Sequence, residues 1–348
     1  MTQVSVGLIG AGRIGKLHGS HLAFRVPNAR LLAVADVSLE TARECAAACS
    51  VPTVYQDYRH VLEDSSIDAV VICSSTNTHA QIIEDAAAAR KHIFCEKPLD
   101  FDLARIDQVL AAVDQAGVKL QVGFNRRFDA NFRRVRDLVA EGRIGEPHIV
   151  RITSRDPAPP PIEYVKVSGG IFLDMTIHDF DMARYLINDE VVELYAVGGV
   201  MVEPEIGKAG DIDTAVIMLR YAGGAIGTID NSRQAVYGYD QRVEVFGSQG
   251  MVGVTNRKPD TAEWSTEDGV HSSLPLFFFI ERYTESYIAE MRGFVESVQQ
   301  DRTPLVTGAD GRIPVLMGYA AQKSYKEHRP VKLSEIETTV RDSMLGGD

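Results

Sequence analysis

In the first third of the chain, short apolar runs rich in β-branched residues alternate with longer stretches in which Ala and Leu recur at three- and four-residue intervals. A strand buried on both faces reads as a continuous apolar run, whereas a helix packed on one side reads with a period of 3.6. The alternation therefore predicts a parallel sheet with crossover helices. Strands are expected over 4–9, 31–36, 69–74, 92–95 and 119–123, with helices over 14–24, 39–48, 79–90 and 102–116. These strands make most of a doubly wound α/β sheet, and residues 1–122 are expected to form one Rossmann domain.

After Phe124 the texture changes. A helical, Arg-rich stretch (Arg126 to Leu138) leads to a strand at 147–154 and then to the loop Pro157-Ala158-Pro159-Pro160-Pro161, which cannot be a central strand because proline has no N–H to give the ladder. A helix over 170–187 is followed by strand-like runs at 191–202, 213–221, 224–235 and 240–247, separated by turns such as Ala222-Gly223-Gly224. Helices return at 282–300 and 311–325. Residues 123–348 are thus expected to form an α+β domain: an open, predominantly antiparallel meander with helices on one side. Val216 to Leu219 and Ala225 to Ile229 place apolar residues on both sheet faces, which predicts sheet-to-sheet dimerisation.

A chain of 348 residues exceeds the usual reach of one hydrophobic core, in keeping with two domains. Hydrophobic residues at 45% and charged residues at 24% are those of an ordinary folded protein. A net charge of −12 argues against nucleic acid and anionic membranes as partners and favours a small neutral ligand. With no signal-peptide pattern, no apolar span of transmembrane length, and Cys45, Cys49, Cys73 and Cys95 unpaired in sequence, a cytoplasmic enzyme with reduced thiols is expected. Cys45 and Cys49 share a helical face but have no His or further Cys nearby, so no metal is expected there.

Candidate chemistry begins at Gly10-Ala11-Gly12-Arg13-Ile14-Gly15. The pattern alone is weak, but here it follows a strand and opens a helix, which aims free N–H groups at a pyrophosphate. Gly10 would permit the tight turn, Gly12 the approach of phosphate, and Gly15 close helix packing. Asp36, at the end of the second strand, is placed to accept the adenosine ribose hydroxyls, and no Arg follows it to neutralise a 2′-phosphate; NAD is the expected cofactor.

Two further segments carry polar residues that a fold alone does not require. Glu96-Lys97-Pro98 follows the strand 92–95 at the ligand-binding edge of the sheet. In Gly169-Gly170-Ile171-Phe172-Leu173-Asp174-Met175-Thr176-Ile177-His178-Asp179-Phe180-Asp181, Asp174 and His178 stand four apart, on one face of the expected helix. Oxidising a carbinol requires a base for the hydroxyl proton, and His178 is the candidate. Asp174 would orient the imidazole or the substrate hydroxyls, and Lys97 would stabilise alkoxide charge. Asp174, His178 and Asp181 at i, i+4 and i+7 also admit a metal reading, but three ligands spread over two turns do not close around one ion unaided.

Together these motifs resemble the glucose-fructose oxidoreductase and inositol dehydrogenase family (Gfo/Idh/MocA) over nearly the whole chain. The resemblance implies a Rossmann domain followed by an open-sheet domain, with Lys97, Asp174 and His178 as the catalytic group. It also implies cofactor contacts from Arg13, Ile14, Ser75, Thr76, Asn77, His79, Glu96 and Lys97. Weaker segments, Gly123 to Asp129, Ser154 to Pro157 and Tyr237 to Asp240, look like those of bacterial inositol 2-dehydrogenases. On that likeness Arg127, Asp156 and Tyr237, and less directly Arg155, join Lys97, Asp174 and His178 as substrate ligands. Two departures bear on the substrate: Asn77 stands where Pro is frequent, and Asp156 where the inositol enzymes often have Asn. The implied reaction is oxidation of myo-inositol to the inosose, by a homotetramer built as a dimer of dimers. Alternatives are another cyclic polyol or aldose, such as scyllo-inositol, D-chiro-inositol or glucose. A regulator that binds NAD without turnover is the alternative from a different class.

Overall fold

The computed structural model of the chain describes residues 3–345. It forms two compact units, the first comprising the chain up to Phe128 together with Glu285–Val315, the second Asp129–Thr284 with the chain from Leu316 onward.

In the first unit, β1 (Val4–Ile9), α1 (Arg13–Phe24), β2 (Ala29–Ala35), α2 (Leu39–Ala48), β3 (Thr53–Tyr55), α3 (Arg59–Glu63), β4 (Ala69–Ile72), α4 (Thr76–Ala88), β5 (His92–Cys95), α5 (Leu103–Ala116) and β6 (Leu120–Val122) follow in order. The strands form one parallel sheet in the order β3-β2-β1-β4-β5-β6. The order reverses between β1 and β4, which opens a crevice at their carboxyl ends. All four residues of β4 are buried, as a central strand covered on both faces requires. The short β3 and α3 were not expected, because three half-buried residues carry no readable periodicity. Helix boundaries have local causes: Asp102 caps α5 by accepting the Ala104 N–H at 2.8 Å, and Gly117 ends it at φ +66°.

The second unit contributes α6 (Ala130–Ala140), β7 (Pro147–Arg155), α7 (Ile162–Val165), α8 (Ile171–Asp174), α9 (Thr176–Ile187), β8 (Val191–Gly199), α10 (Pro204–Lys208), β9 (Thr214–Tyr221), β10 (Ile226–Ser232), β11 (Asp240–Gly247), β12 (Gly250–Val254) and the hairpin β13 (Glu263–Thr266) and β14 (Gly269–Ser272). The helices α11 (Phe279–Gln299) and α12 (Gly308–Glu327) come next, then β15 (Val331–Lys332) and α13 (Leu333–Leu345). The large sheet is open, with order β12-β11-β7-β10-β9-β8-β15. It is antiparallel except for the pair β7 and β10.

The expected meander is corrected at that pair. β8, β9 and β10 do follow one another, but β7 lies between β10 and β11, so the segment 233–239 crosses over it rather than forming a hairpin. The helix expected over 170–187 is also two helices, separated at Met175 (φ −93°, ψ −59°). α9 is tied to the sheet by Asn231 of β10, whose Oδ1 accepts the Thr176 hydroxyl at 2.5 Å and whose Nδ2 donates to Asp179 at 2.8 Å. Helices α6, α9 and α13 lie against the sheet. Strand burial alternates, with Ala215, Ile217, Leu219 and Tyr221 of β9 buried and Val216 and Met218 exposed.

Helix α11 has a non-helical residue at Tyr283, and α12 contains Pro314. Within the first unit, Met291, Phe294 and Val295 of α11 complete the core with Val4, Leu8 and Phe94. A tail segment assigned by sequence order to the later domain thus furnishes core to the first sheet. Among the described residues no helix is long and apolar enough to cross a membrane.

Candidate active site and cofactor cradle

The glycine loop leaves the end of β1 at the crevice. Gly10 donates its N–H to the Ala35 carbonyl at 2.8 Å with φ +93°, and a Cβ there would lie 2.5 Å from the Cys73 carbonyl carbon. At Gly15 a Cβ would lie 1.9 Å from the Gly10 carbonyl oxygen. Both positions are therefore glycine for reasons internal to the protein. Gly12 differs: its φ is ordinary and a Cβ would meet nothing within 4 Å. Its bareness keeps open the space that a pyrophosphate would fill, in front of the first turn of α1. That turn, with Arg13 and Ile14, holds no acidic residue to oppose an anion.

Asp36 stands beside this loop. Its Oδ2 accepts the Ala11 N–H at 2.7 Å and its Oδ1 the Ser38 N–H at 2.8 Å, which leaves lone pairs for ribose hydroxyls. Across the crevice α4 begins just after Ser75; Ser75 and Asn77 are exposed and Thr76 half-buried. His79 is placed differently from its neighbours. It is 1% exposed, with Nδ1 2.8 Å from the Pro98 carbonyl and Nε2 3.0 Å from that of Ser74. The imidazole thus braces the turn after Lys97 instead of presenting itself at the surface.

Glu96 and Lys97 follow β5 and are half-buried. A group absent from the sequence reading lies behind Glu96. Its Oε1 is 2.7 Å from Nε2 of the fully buried His18, and the equally buried Glu290 of α11 brings a carboxyl oxygen within 4.8 Å of both. Neither Glu290 oxygen has a hydrogen-bond partner among the described residues. Burial, and then the charge of Glu96, push the Glu290 carboxyl well above the usual carboxylate range. Burial and the Glu96 charge likewise raise the thiols of Cys73 and Cys95. Arg127 is 6% exposed and donates from Nη2 to Asp310 Oδ1 at 2.9 Å, so its charge has a partner inside the first unit.

In the second unit, residues 171–184 are buried with two departures, Asp174 and His178, both half-buried. The break at Met175 means that the two do not share one continuous helix face, although their four-residue spacing survives as common openness. Asp174 accepts the Tyr164 hydroxyl on Oδ1 at 2.7 Å and the Arg233 guanidinium on Oδ2 at 2.9 Å. The same Arg233 nitrogen is 3.8 Å from Asp156 Oδ2. Burial and the nearby Asp174 raise the Tyr164 hydroxyl, so it remains a donor at neutral pH. Tyr237 belongs to a second cluster: it donates to Asp240 Oδ2 at 2.6 Å and accepts from Arg155 at 3.2 Å, while Arg155 also donates to Asp230 at 2.7 Å.

Asp174 and Asp156 are thus joined through Arg233, and Arg155 with Tyr237 forms the adjoining group. Arg233, Tyr164, His18 and Glu290 were missed. Each is a common residue type outside any motif, brought in by β10, α7, α1 and α11 from distant parts of the sequence.

A parallel six-stranded sheet with a bare glycine loop and an acidic residue after β2, followed by an open mixed sheet, defines an NAD-binding oxidoreductase of two domains. Residues 4–124 match the oxidoreductase family with an NAD-binding Rossmann fold, and residues 132–253 the GFO/IDH/MocA C-terminal domain. The chain belongs to the Gfo/Idh/MocA oxidoreductase family, and NAD is its cofactor. It is 51% identical to the myo-inositol 2-dehydrogenase of Thermotoga maritima over 95% of this chain and 99% of that protein. It is 46% identical to the inositol 2-dehydrogenase of Rhizobium meliloti, over 95% and 99%. The structure of Lactobacillus casei scyllo-inositol dehydrogenase with NAD(H) and scyllo-inositol superposes with a TM-score of 0.90 at 29% identity, covering 96% of this chain and 100% of that one.

Proposed function

We propose that this enzyme oxidises one ring carbinol of an inositol, myo-inositol foremost, to the corresponding inosose. The observation that carries the reading is the opening of Asp174 and His178 in an otherwise buried segment, in a chain about half identical to two inositol 2-dehydrogenases. His178 takes the hydroxyl proton, Asp174 accepts a substrate hydroxyl, and Lys97 steadies the negative charge that grows on the carbinol oxygen. Bound NAD supplies the acceptor for the hydrogen and electron pair that leave the carbinol carbon. The glycine loop, Asp36 and the start of α4 hold that cofactor. Asp156 and Tyr237 contribute further contacts to ring hydroxyls.

The test is NADH absorbance with the purified protein and saturating NAD across myo-, scyllo- and D-chiro-inositol and glucose. A kcat/KM highest for myo-inositol supports the proposal. A preference for scyllo- or D-chiro-inositol or for glucose replaces the substrate but keeps the chemistry, and no turnover with any of them rejects the reading.

The proposal extends to a homotetramer built as a dimer of dimers. Val197, Val216, Met218, Ile226 and Phe246 are exposed on strands of the second unit's sheet, an apolar face that a second copy would cover. A cytoplasmic location is proposed with it, in keeping with four unpaired cysteines.

A further inference from the structure

Glu96 stands at the carboxyl end of β5, on the same edge of the sheet as the glycine loop, yet its carboxylate is turned into the protein. The side chain is 15% exposed, and Oε1 is 2.7 Å from Nε2 of His18, a fully buried residue of α1. Nδ1 of that imidazole is buried without a partner among the described residues, so a proton on Nε2, donated to Glu96, leaves no orphan N–H inside. The rings of Phe94 and Tyr287 meet the imidazole edge-on, with centroids 5.2 and 5.6 Å away. Gly123 makes room on another side, where a Cβ would lie 2.9 Å from Glu96 Oε2. Glu290 of α11 closes the group, with a carboxyl oxygen within 4.8 Å of the Glu96 and His18 atoms.

The titratable groups gathered here are His18 of α1, Cys73 after β4, Cys95 and Glu96 at the end of β5, Lys97 beside them, and Tyr287 and Glu290 of α11. Burial keeps both thiols and Glu290 protonated, and neither Glu290 oxygen has a hydrogen-bond partner among the described residues that could hold a charge there. Glu96 and Lys97 are then one anion and one cation, which sum to zero. The cofactor brings an anionic pyrophosphate to this edge of the sheet. A carboxylate released into the crevice would oppose it. We infer that His18 and Glu290 are positioning residues of the NAD site: they hold the Glu96 carboxylate inward, which ties α1 to the turn that carries Lys97 and keeps a negative charge away from the pyrophosphate. An uncharged Glu290 has one O–H to offer Glu96, whereas an ionised one would drive it outward. The inference concerns the cofactor and does not depend on which carbinol is oxidised.

The test reads the NAD Kd of the full-length protein by fluorescence titration at neutral pH, beside the Tm without cofactor, for wild type, H18F, H18F/E96Q, E290L and E290Q. H18F keeps the ring contacts and removes the donor, so NAD should bind about tenfold more weakly. In H18F/E96Q the released side chain is an uncharged amide, and most of that loss should be recovered. E290L replaces an unpaired buried acid with an apolar group, so its Tm should be no lower than that of wild type, yet it should bind NAD about tenfold more weakly. E290Q is uncharged and still a donor, and should bind like wild type. A residue with a merely structural role would not weaken NAD binding while the Tm is kept. A Kd within about twofold of wild type in H18F or in E290L overturns the inference. So does H18F/E96Q binding no tighter than H18F, or E290Q binding as weakly as E290L. If E290L fails to fold, H18F and H18F/E96Q decide by the same outcomes.

Discussion

Asp36 is locked to the glycine loop it serves: Oδ2 of its carboxylate accepts the Ala11 N–H at 2.7 Å, across 25 residues of sequence. The bond does two things. It sets the carboxylate where ribose hydroxyls would reach it, and it holds the loop between Gly10 and Gly12 from the side. D36A should therefore lose both the ribose contact and part of the loop's order, and weaken NAD binding by about 10- to 100-fold, the worth of hydrogen bonds to a charged group. Fluorescence titration with NAD measures this directly. An unchanged Kd would remove Asp36 from the cofactor site.

Gly12 and Gly15 should separate binding from folding. In G15A the new methyl group collides with the Gly10 carbonyl, whereas in G12A it enters open space. G15A should unfold at a clearly lower temperature. G12A should keep the wild-type Tm without NAD but lose most of the thermal shift that NAD gives the parent. Thermal scans of both variants with and without NAD check this, and equal losses in the two Tm values would contradict it.

If His178 is the base as proposed, H178A should lower kcat by about 10²- to 10⁴-fold. The NAD affinity of H178A should remain that of wild type, since the proposed role of His178 is toward the substrate hydroxyl and not the cofactor. Stopped-flow and steady-state rates at neutral pH test it. A kcat within twofold of wild type, by these same assays, would assign the base elsewhere.

Glu290 offers a stability test with a definite sign. Its folded pKa is raised well above 4.5, mainly by burial. Below the unfolded pKa both states are protonated and Glu290 carries no penalty. As pH rises past it, the unfolded chain ionises while the native carboxyl cannot, so native stability declines until the folded pKa is reached. E290Q removes that loss. Its Tm should gain on wild type progressively from about pH 5 to 8, and a constant Tm difference across that range would mean that Glu290 is ionised in the native state.

Met218 tests the assembly. It is exposed on β9, opposite Tyr195 and Thr228 of the neighbouring strands. M218E places a charge on the apolar face, where burial without a partner is costly. Light scattering at micromolar protein should report a smaller particle than the parent, with NAD binding retained. An unchanged mass would move the interface elsewhere.

The glycine loop, the central strands and the four-residue spacing of Asp174 and His178 were legible in the sequence because each rests on local regularity. A strand buried on both faces must be apolar throughout, a phosphate-binding turn must lack side chains, and a polar pair four apart in an apolar run announces itself. Asp36 could be placed by its distance from Gly15 alone. The broken helix at Met175 was not legible, since no proline or glycine marks it.

What only tertiary structure decided depends on partners far apart in the chain. The insertion of β7 between β10 and β11 is a choice of register that alternating apolar patterns leave degenerate. The surroundings of His79 and Arg127 were likewise not legible: the carbonyls of Pro98 and Ser74 flank the imidazole and Asp310 pairs with the guanidinium. Arg233 and Glu290 have no signature because an isolated Arg or Glu is ordinarily solvated. They gain their roles from burial, and burial is a property of the folded whole: water is removed, and the nearest remaining charge, Asp174 for one and Glu96 for the other, sets what each can do.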